Sequence, residues 1–373
     1  MQSRTLESYV RSNGGRVHPA LRVHVVDGER GVVTLNALDV HEEVCFIPND
    51  LIIFSSSNNP KDTISKLALK MSKQEAKYLP YFKFLPSDIK QFPIAWKDIK
   101  HPSLSALSNV RRQSVYEEYV RVKKKIKTTI DFNEYVYWRT IVGSRNFAKS
   151  QVELGCVPFA DMLNASSKPN VNWSYNSEGF KMITTKKINS GEQLFDYYGV
   201  KTSVEWLMFY GCVPKKEIAA SDRICYVLGK CIKKFENLSP EYKSEEPCFE
   251  FCLEQEWDGD GSKEILSLMR FAVSDKPKAE CPSGTLNGYA FEPSTRELEV
   301  KALQLFLDFL IVPEVSKTII KSLNDFVDLE REIIQVSRTR CMKAIEFLSN
   351  KKVLKTSDPV FGAYKSVLNN FKV

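Results

Sequence analysis

Three unlike fragments between residues 142 and 214 constrain this chain more than anything else in it, because together they make sense only if the chain returns to one place. They are Gly143-Ser144-Arg145-Asn146-Phe147, Val157-Pro158-Phe159-Ala160-Asp161-Met162-Leu163-Asn164, and Phe195-Asp196-Tyr197-Tyr198-Gly199 with Tyr210-Gly211 behind it. The middle fragment is an apolar run ended by an Asp and an Asn, side chains that are costly to bury unless a partner hydrogen-bonds them. A polar group docked at that point meets the requirement. Turn signals at Glu178-Gly179 and Asn189-Ser190-Gly191 bracket the alternating run Phe180-Lys181-Met182-Ile183-Thr184, which predicts two or three short strands. The expected product is a β-rich region with Tyr198 just ahead of a glycine turn.

Upstream, residues 4–12 have the pattern of a short helix that stops at Asn13-Gly14-Gly15. Residues 23–26 and 32–33 flank Asp27-Gly28-Glu29-Arg30-Gly31, a strand, tight turn and strand whose glycines let backbone approach another group closely. On local sequence alone a plain hairpin turn is the favoured reading, since short glycine motifs are weak signals. Residues 38–48 read as a turn and a strand ended by Pro48. From about residue 58 to 137 helix formers take over, with apolar residues in helical spacing at Ile64, Leu67, Ala68 and Met71 and again at Tyr116, Tyr119, Val120 and Ile126. Pro80, Pro86, Pro93 and Pro102 divide this stretch into several helices, and Trp96, Tyr135 and Trp138 are expected in the core. After Pro214 the pattern is helical again, with residues 315–348 as one helix of about 35 residues and segment 236–262 as a polar loop. Asp258 and Asp260 echo a calcium loop without its glycine and terminal Glu spacing.

At 373 residues with 43% hydrophobic, the chain can form two domains or one large one around a substantial core. No apolar run reaches the length of a membrane span, and the first ten residues lack the basic start and apolar core of a secretory signal. A soluble monomer of the cytosol or nucleus with no membrane partner is expected. The nine scattered cysteines then read as buried thiols. The formal charge of +7 is spread along the chain apart from Lys123-Lys124-Lys125, and no basic stripe is interleaved with aromatics, so direct nucleic-acid binding is not expected.

The order of a glycine-bearing strand turn, Ser144-Arg145-x-Phe147, Pro158-x-Ala160-Asp161-Met162-Leu163-Asn164, Gly191-Glu192-Gln193-Leu194-Phe195-x-x-Tyr198-Gly199 and Tyr210-Gly211 resembles the SET domain. More narrowly, it is similar to the branch containing the Rubisco large-subunit lysine methyltransferase and the fungal ribosomal-protein lysine methyltransferases. The resemblance implies an α+β fold: a β-rich SET domain in two parts (1–57 and 141–214), a helical insertion (58–140) lining one wall of the substrate groove, and an all-α substrate-binding domain (215–373). It implies S-adenosylmethionine as methyl donor and a protein lysine as acceptor. Carried over by position, Gly28, Glu29, Arg30 and Gly31 contact the donor, Arg145 takes its carboxylate, Asp161, Met162, Asn164 and Ala165 lie along it, and Tyr210 packs on its adenine side. Tyr198 is then both a donor contact and the catalytic hydroxyl. Ala165 stands where the family usually has His, and Cys212 where Phe is frequent; both bear on donor affinity rather than on the chemistry. Taken singly, Arg145 is as readily a surface ion pair and Asp161 a helix cap, and it is the order of the fragments that favours the site. The zinc clusters of many histone-directed SET domains are missing, since Cys248 and Cys252 alone do not make four ligands. No metal is expected, and the implied substrate is a non-histone protein, by analogy a ribosomal protein of the large subunit.

Methyl transfer to a lysine is an in-line displacement at a sulfonium carbon, so alignment carries most of the catalysis. An unperturbed lysine has a pKa of about 10.4, and burial beside a cationic sulfur disfavours its ammonium form on both counts. No dedicated base is needed. Backbone carbonyls and one tyrosine hydroxyl around the methyl and the amine hold the lone pair in line, the role the resemblance gives Tyr198. Two other readings stay open: a SET-fold module that binds a peptide without turnover, and methylation of a histidine, which requires a group holding the imidazole tautomer. Tyr198, Arg145 and Asn164 argue against the first; Ala165 and Cys212 leave room for it.

Overall fold

The computed structural model describes residues 5–26, 28–96, 102–126, 128–213, 224–226, 249–251, 266, 269–270, 272–274, 295–310, 318 and 320–350. Two units emerge, one of Met1–Ala95, Arg111–Val200 and Pro214–Ile218, the other of Trp96–Val110, Lys201–Val213 and Ala219–Val373.

In the first unit, Thr5 caps helix α1 (Leu6–Ser12), its hydroxyl accepting from Ser8 N at 3.2 Å. Strands β1 (Arg16–Val17), β2 (Leu21–Val26), β3 (Glu29–Thr34), β4 (Glu43–Pro48) and β5 (Ile53–Ser56) follow. The expected hairpin forms, β2 pairing antiparallel with β3 from Leu21↔Thr34 to Val26↔Glu29. Helices α2 (Pro60–Ser72), α3 (Leu79–Phe82), α4 (Pro102–Ile126) and α5 (Phe132–Arg145) make the helical stretch, and α4 contributes residues to both units. Strands β6 (Asn146–Ala148), β7 (Glu153–Cys156), β8 (Asn164–Ala165), β9 (Val171–Tyr175), β10 (Gly179–Thr184) and β11 (Gln193–Asp196) complete it. The sheets have the orders β1-β4-β10-β9, β2-β3-β11-β8 and β5-β7-β6. Alternation on β10 works as read: Phe180, Met182 and Thr184 are buried and Lys181 is exposed. Phe180 and Met182 join one apolar core with Leu21, Val32, Ile47, Ile141, Phe159 and Leu194.

Pro80, Pro93 and Pro102 divide the helical stretch as expected, each standing in the first turn of an element: of α3, of a one-turn helix Pro93–Ala95, and of α4; a first-turn proline loses no intrahelical bond. On α4 the apolar residues picked out by their spacing do not share one buried face, since of the four Tyr119 alone is buried. Tyr116, Val120 and Ile126 are exposed, while Val115, Glu118, Tyr119 and Val122 are buried. Glu118 is tolerated there because its Oε1 accepts from Ser65 and Tyr135 hydroxyls, both at 2.6 Å, and from Arg139 Nε at 2.7 Å. Trp96, Tyr135 and Trp138 are buried as expected.

The second unit contains α6 (Ser203–Tyr210), α7 (Arg296–Phe309) and α8 (Lys321–Asn350). The long helix begins at Lys321, and residues 315–317 and 319 of the expected span lie outside the described residues. Its buried positions Leu323, Phe326, Val327, Glu330, Ile333, Ile334, Ser337, Cys341, Ala344 and Leu348 keep three-to-four spacing. Arg338 Nη1 donates to the Leu307 and Leu310 carbonyls at 3.1 and 2.8 Å, placing a cation at the C-terminal end of α7. This helical region also holds an antiparallel pair, β12 (Ile224–Tyr226) with β13 (Phe249–Phe251), so an all-α reading of 215–373 and a loop over 249–251 are corrected. Asp258 and Asp260 lie outside the described residues. Cys45, Cys156 and Cys341 are buried free thiols, whereas Cys212 is exposed.

Candidate active site

The fragment carrying Asp161 leaves β7 through Phe159, whose φ of 76° lies in the left-handed region, and closes a single 3-10 turn over Ala160–Met162. Asp161 is thereby turned into the core, where its side chain is fully covered. Tyr81 Oη donates to Asp161 Oδ2 at 2.7 Å, and Arg145 Nη1 donates to the Asp161 main-chain oxygen at 2.6 Å and lies 3.5 Å from Oδ2. Arg145 is the last residue of α5, where the helix dipole favours a cation, and Asn146 Nδ2 closes the helix end by donating to the Val142 and Gly143 carbonyls. Neither of the single-residue alternatives holds: Arg145 is no surface ion pair and Asp161 caps no helix.

Arg30, on β3, donates to the Phe84 carbonyl and faces both Arg145 and Asp161. Burial, and then the neighbouring Arg145, lower the Arg30 pKa. Burial pushes the Asp161 carboxyl above the usual range, with Arg145, Tyr81 and Arg30 pulling against it. For Arg145 burial acts to lower the pKa, and the facing Asp161, Tyr81 and Tyr198 oxygens outweigh it, leaving it raised. Two guanidinium groups thus face one carboxyl. Two buried atoms here, Arg145 Nε and Asp161 Oδ1, have no hydrogen-bond partner in the protein. One is a charged donor and the other an acceptor, the complement of a ligand group carrying both a carboxylate and an ammonium.

Beside this cluster, β8 lies parallel to β11 with Asn164 opposite Phe195 and Ala165 opposite Asp196. The chain between them forms the β9-β10 hairpin, so the pairing ties the end of the Asp161 fragment to the start of the Tyr198 fragment. Tyr198 Oη donates to the Leu163 carbonyl at 2.5 Å, and Asn164 Nδ2 donates to Gln193 Oε1 at 2.7 Å. Gly31 sits against the same pair: a Cβ there would run into the Gln193 amide and come within 3.0 Å of Asn164 Nδ2. Close approach, not turn formation, is what this glycine permits.

Of the residues expected from sequence, Arg30, Gly31, Arg145, Asp161, Asn164 and Tyr198 are gathered here. Gly28, with φ 82°, and Glu29 sit at the exposed turn end of the hairpin. Met162 has its side chain in the core, and Ala165 is partly buried on β8. Tyr210 belongs to the second unit, on α6, with its ring 4.7 Å from that of Trp206. Three residues of the site escaped the sequence reading. Tyr81 lies in the helical stretch, Gln193 orients Asn164, and Asp196 is a buried carboxyl whose Oδ1 accepts from Tyr197 N at 2.7 Å. Gln193 and Asp196 stand inside the motif from Gly191 to Gly199, so their spacing to Tyr198 was available as a signal; for Tyr81 nothing local was. Among the described residues no group of three or more His, Cys, Asp or Glu side chains is placed to hold a metal.

Residues 29–199, which hold Arg145, Asp161, Asn164 and Tyr198, match the SET domain model. The chain carries a SET domain. Over 184 residues it is 29% identical to Ribosomal lysine N-methyltransferase 4 of Saccharomyces cerevisiae, a match covering 39% of this chain and 37% of that protein. Over 55 residues it is 44% identical to N-lysine methyltransferase setd6 of Danio rerio, covering 15% of this chain and 12% of that one. The matches thus span less than half the length of these relatives. Among solved structures, the SET domain of LSMT bound to MeLysine and AdoHcy superposes with a TM-score of 0.62 at 16% identity, covering 94% of this chain and 91% of that one. Rubisco LSMT bound to AdoMet gives 0.61 at 15% identity, over 93% and 91%. At such identity the likeness is one of fold, and it takes in the helical C-terminal region as well as the SET domain.

Proposed function

We propose that the protein is an S-adenosylmethionine-dependent protein-lysine N-methyltransferase acting on a non-histone protein, with a ribosomal protein as its substrate. The observation that carries this is the Tyr198 hydroxyl fixed on the Leu163 carbonyl, next to a partly buried arginine and a buried aspartate that each keep a buried polar atom unpartnered. The names of the relatives support it, since one is a ribosomal lysine methyltransferase and another an N-lysine methyltransferase. When bound, S-adenosylmethionine supplies an electrophilic methyl on a cationic sulfur. Arg145 Nε–H suits its carboxylate and Asp161 Oδ1 its ammonium, with Arg30 adding positive charge nearby. Because Asn164 Nδ2 is committed to Gln193, the Asn164 amide oxygen is the atom that turns to a ligand donor. Because the Tyr198 proton is committed to Leu163, its phenol oxygen offers lone pairs to an amine N–H or a polarised C–H. Tyr198 then holds the acceptor nitrogen so that its lone pair points at the methyl, and the entropy of alignment is met before reaction. The cytosol and nucleus are the compartments this reading assigns.

The test is incubation of the purified chain with radiolabelled S-adenosylmethionine and an extract lacking the native enzyme, followed by mass spectrometry of the labelled protein. The expected result is a labelled lysine on a ribosomal protein. A labelled histidine would keep fold and donor and change the acceptor. No label, with donor binding measured separately and intact, would replace the enzyme by a peptide-binding module.

A further inference from the structure

The helical stretch sends one polar group into the Asp161 cluster that the catalytic reading does not use. Tyr81, on α3, is wholly buried, with the ring of Phe82 5.7 Å away, and its hydroxyl donates to Asp161 Oδ2 at 2.7 Å across 80 residues of sequence. A phenol keeps its hydroxyl in such surroundings only where an acceptor meets it, and one carboxylate oxygen does so here. A carboxyl group turns about a single soft torsion, so fixing one oxygen fixes the other. Arg145 Nη1 reaches the same oxygen only at 3.5 Å, the outer edge of a hydrogen bond, and spends its short contact of 2.6 Å on the main chain. Among the described residues, the strong bond that sets the orientation of this carboxyl is therefore the one from Tyr81. The oxygen it leaves over, Asp161 Oδ1, is buried and unpartnered.

We infer that Tyr81 is a positioning residue for the methyl donor: its hydroxyl holds the Asp161 carboxylate so that Oδ1 is presented to the donor's ammonium group. The inference rests on the functional reading above and extends it to the helical insertion, which then serves the donor as well as the substrate groove. The groups facing Asp161 are Arg145 from α5, Arg30 from β3, Tyr81 from α3 and the Cys156 thiol from β7. Tyr81→Phe withdraws one hydrogen bond from the carboxylate and leaves every charge and the ring in place.

The experiment is calorimetric titration of S-adenosylhomocysteine into the full chain as wild type, Tyr81→Phe, Asp161→Asn and the double variant between pH 5.5 and 8, with the melting temperature of each. Tyr81→Phe should weaken binding about tenfold, the weight of one ordinary hydrogen bond, and should add nothing in the Asp161→Asn background. Its acid limb should also move to higher pH, because the phenol bond favours the ionised carboxylate and its loss raises the carboxyl pKa. A residue that merely fills the core would lower the melting temperature without moving that limb. Wild-type affinity in Tyr81→Phe, or equal losses in both backgrounds, would overturn the inference. A measurement needing no variant is the affinity of an S-adenosylhomocysteine analogue lacking the amino group: it should bind the wild type more weakly, and equal binding would overturn the inference. Failure of the wild type to bind S-adenosylhomocysteine at all would instead remove the functional reading, and this inference with it.

Discussion

Arg145→Lys separates the two duties of its partly buried guanidinium. Nη1 holds the Asp161 main-chain oxygen at 2.6 Å, whereas Nε is buried and faces no partner in the protein. A lysine keeps the charge and can set one nitrogen where Nη1 stands, but it has no counterpart to Nε. A hydrogen bond between charged groups contributes about 1.5–3 kcal/mol, so its loss should weaken donor affinity by about 10- to 150-fold at tenfold per 1.4 kcal/mol. The upper part of that range is expected, because an ammonium group suffers more from desolvation than a guanidinium does. Stability should fall by only about 1 kcal/mol, or about 2–4 °C in melting temperature for a domain of this size, since the contact to Asp161 survives. Calorimetry with S-adenosylhomocysteine and a thermal melt on the same sample read both quantities. An affinity within about twofold of wild type, whatever the melting temperature, would refute the assignment of Nε to the donor. Arg145→Ala is the poorer test: it strips both the Asp161 carbonyl and its carboxyl of a partner in the core, which costs about 3–5 kcal/mol in a buried pair and mixes the two duties.

Tyr198→Phe should leave the fold and the affinity for S-adenosylhomocysteine within about threefold while lowering turnover by about 100-fold or more, the usual effect of removing one preorganised polar contact at a reacting centre; methylation of the extract at the wild-type rate would take Tyr198 out of the chemistry. For Asp196, burial raises the carboxyl pKa from 3.8 to about 6, with the Tyr197 N–H and Trp173 pulling it down. The native state therefore keeps its proton where the unfolded chain has lost it. The group favours the fold below pH 4, and that contribution is lost as pH rises through about 6, over a span of about 3 kcal/mol. Urea unfolding at pH 4.5 and 7.5 should show Asp196→Asn gaining stability relative to wild type at the higher pH, and parallel pH slopes for the two proteins would refute the shift.

The sequence made the strand framework legible wherever one face of a strand is buried. The β2-β3 hairpin and β10 were readable because alternation and turn residues act over a few positions. Asp161 and Asn164 stood out as polar groups ending an apolar run, whereas Arg145 and Tyr198 were singled out only by the resemblance of the ordered fragments to the SET domain. What stayed hidden depends on pairings that only the tertiary fold creates. The buried face of α4 was misread because Glu118 sits on it, and its partners Tyr135 and Arg139 come from another helix 17 and 21 residues away. Tyr81 is an aromatic in an aromatic-rich stretch, for which core packing is the natural reading, and only the bond to Asp161 sets it apart. The same holds for the strands β12 and β13, three residues each, too short for any period to show.

The residues around Asp161 work against stability in three ways at once. Phe159 holds φ 76° and ψ −49°, a backbone state that costs about 1–3 kcal/mol outside glycine. Arg145 Nε and Asp161 Oδ1 each forgo a hydrogen bond inside the protein, which costs about 1–3 kcal/mol for a buried polar atom. Phe159 is fully buried in the main core, so packing can impose the strained turn, and the strained turn in turn drives Asp161 inward to Tyr81 and Arg145. A core built for stability alone has no use for this arrangement, because an apolar side chain at position 161 would remove the unpaired carboxyl and the need for the arginine facing it. Such departures from local rules concentrate where a ligand completes the structure. On the function proposed above, the two unpaired atoms also bear on which ligand fits. A molecule that carries only a carboxylate leaves Asp161 Oδ1 buried and unpaired, one that carries only an ammonium leaves Arg145 Nε so, and either mismatch retains the penalty that a ligand with both groups relieves.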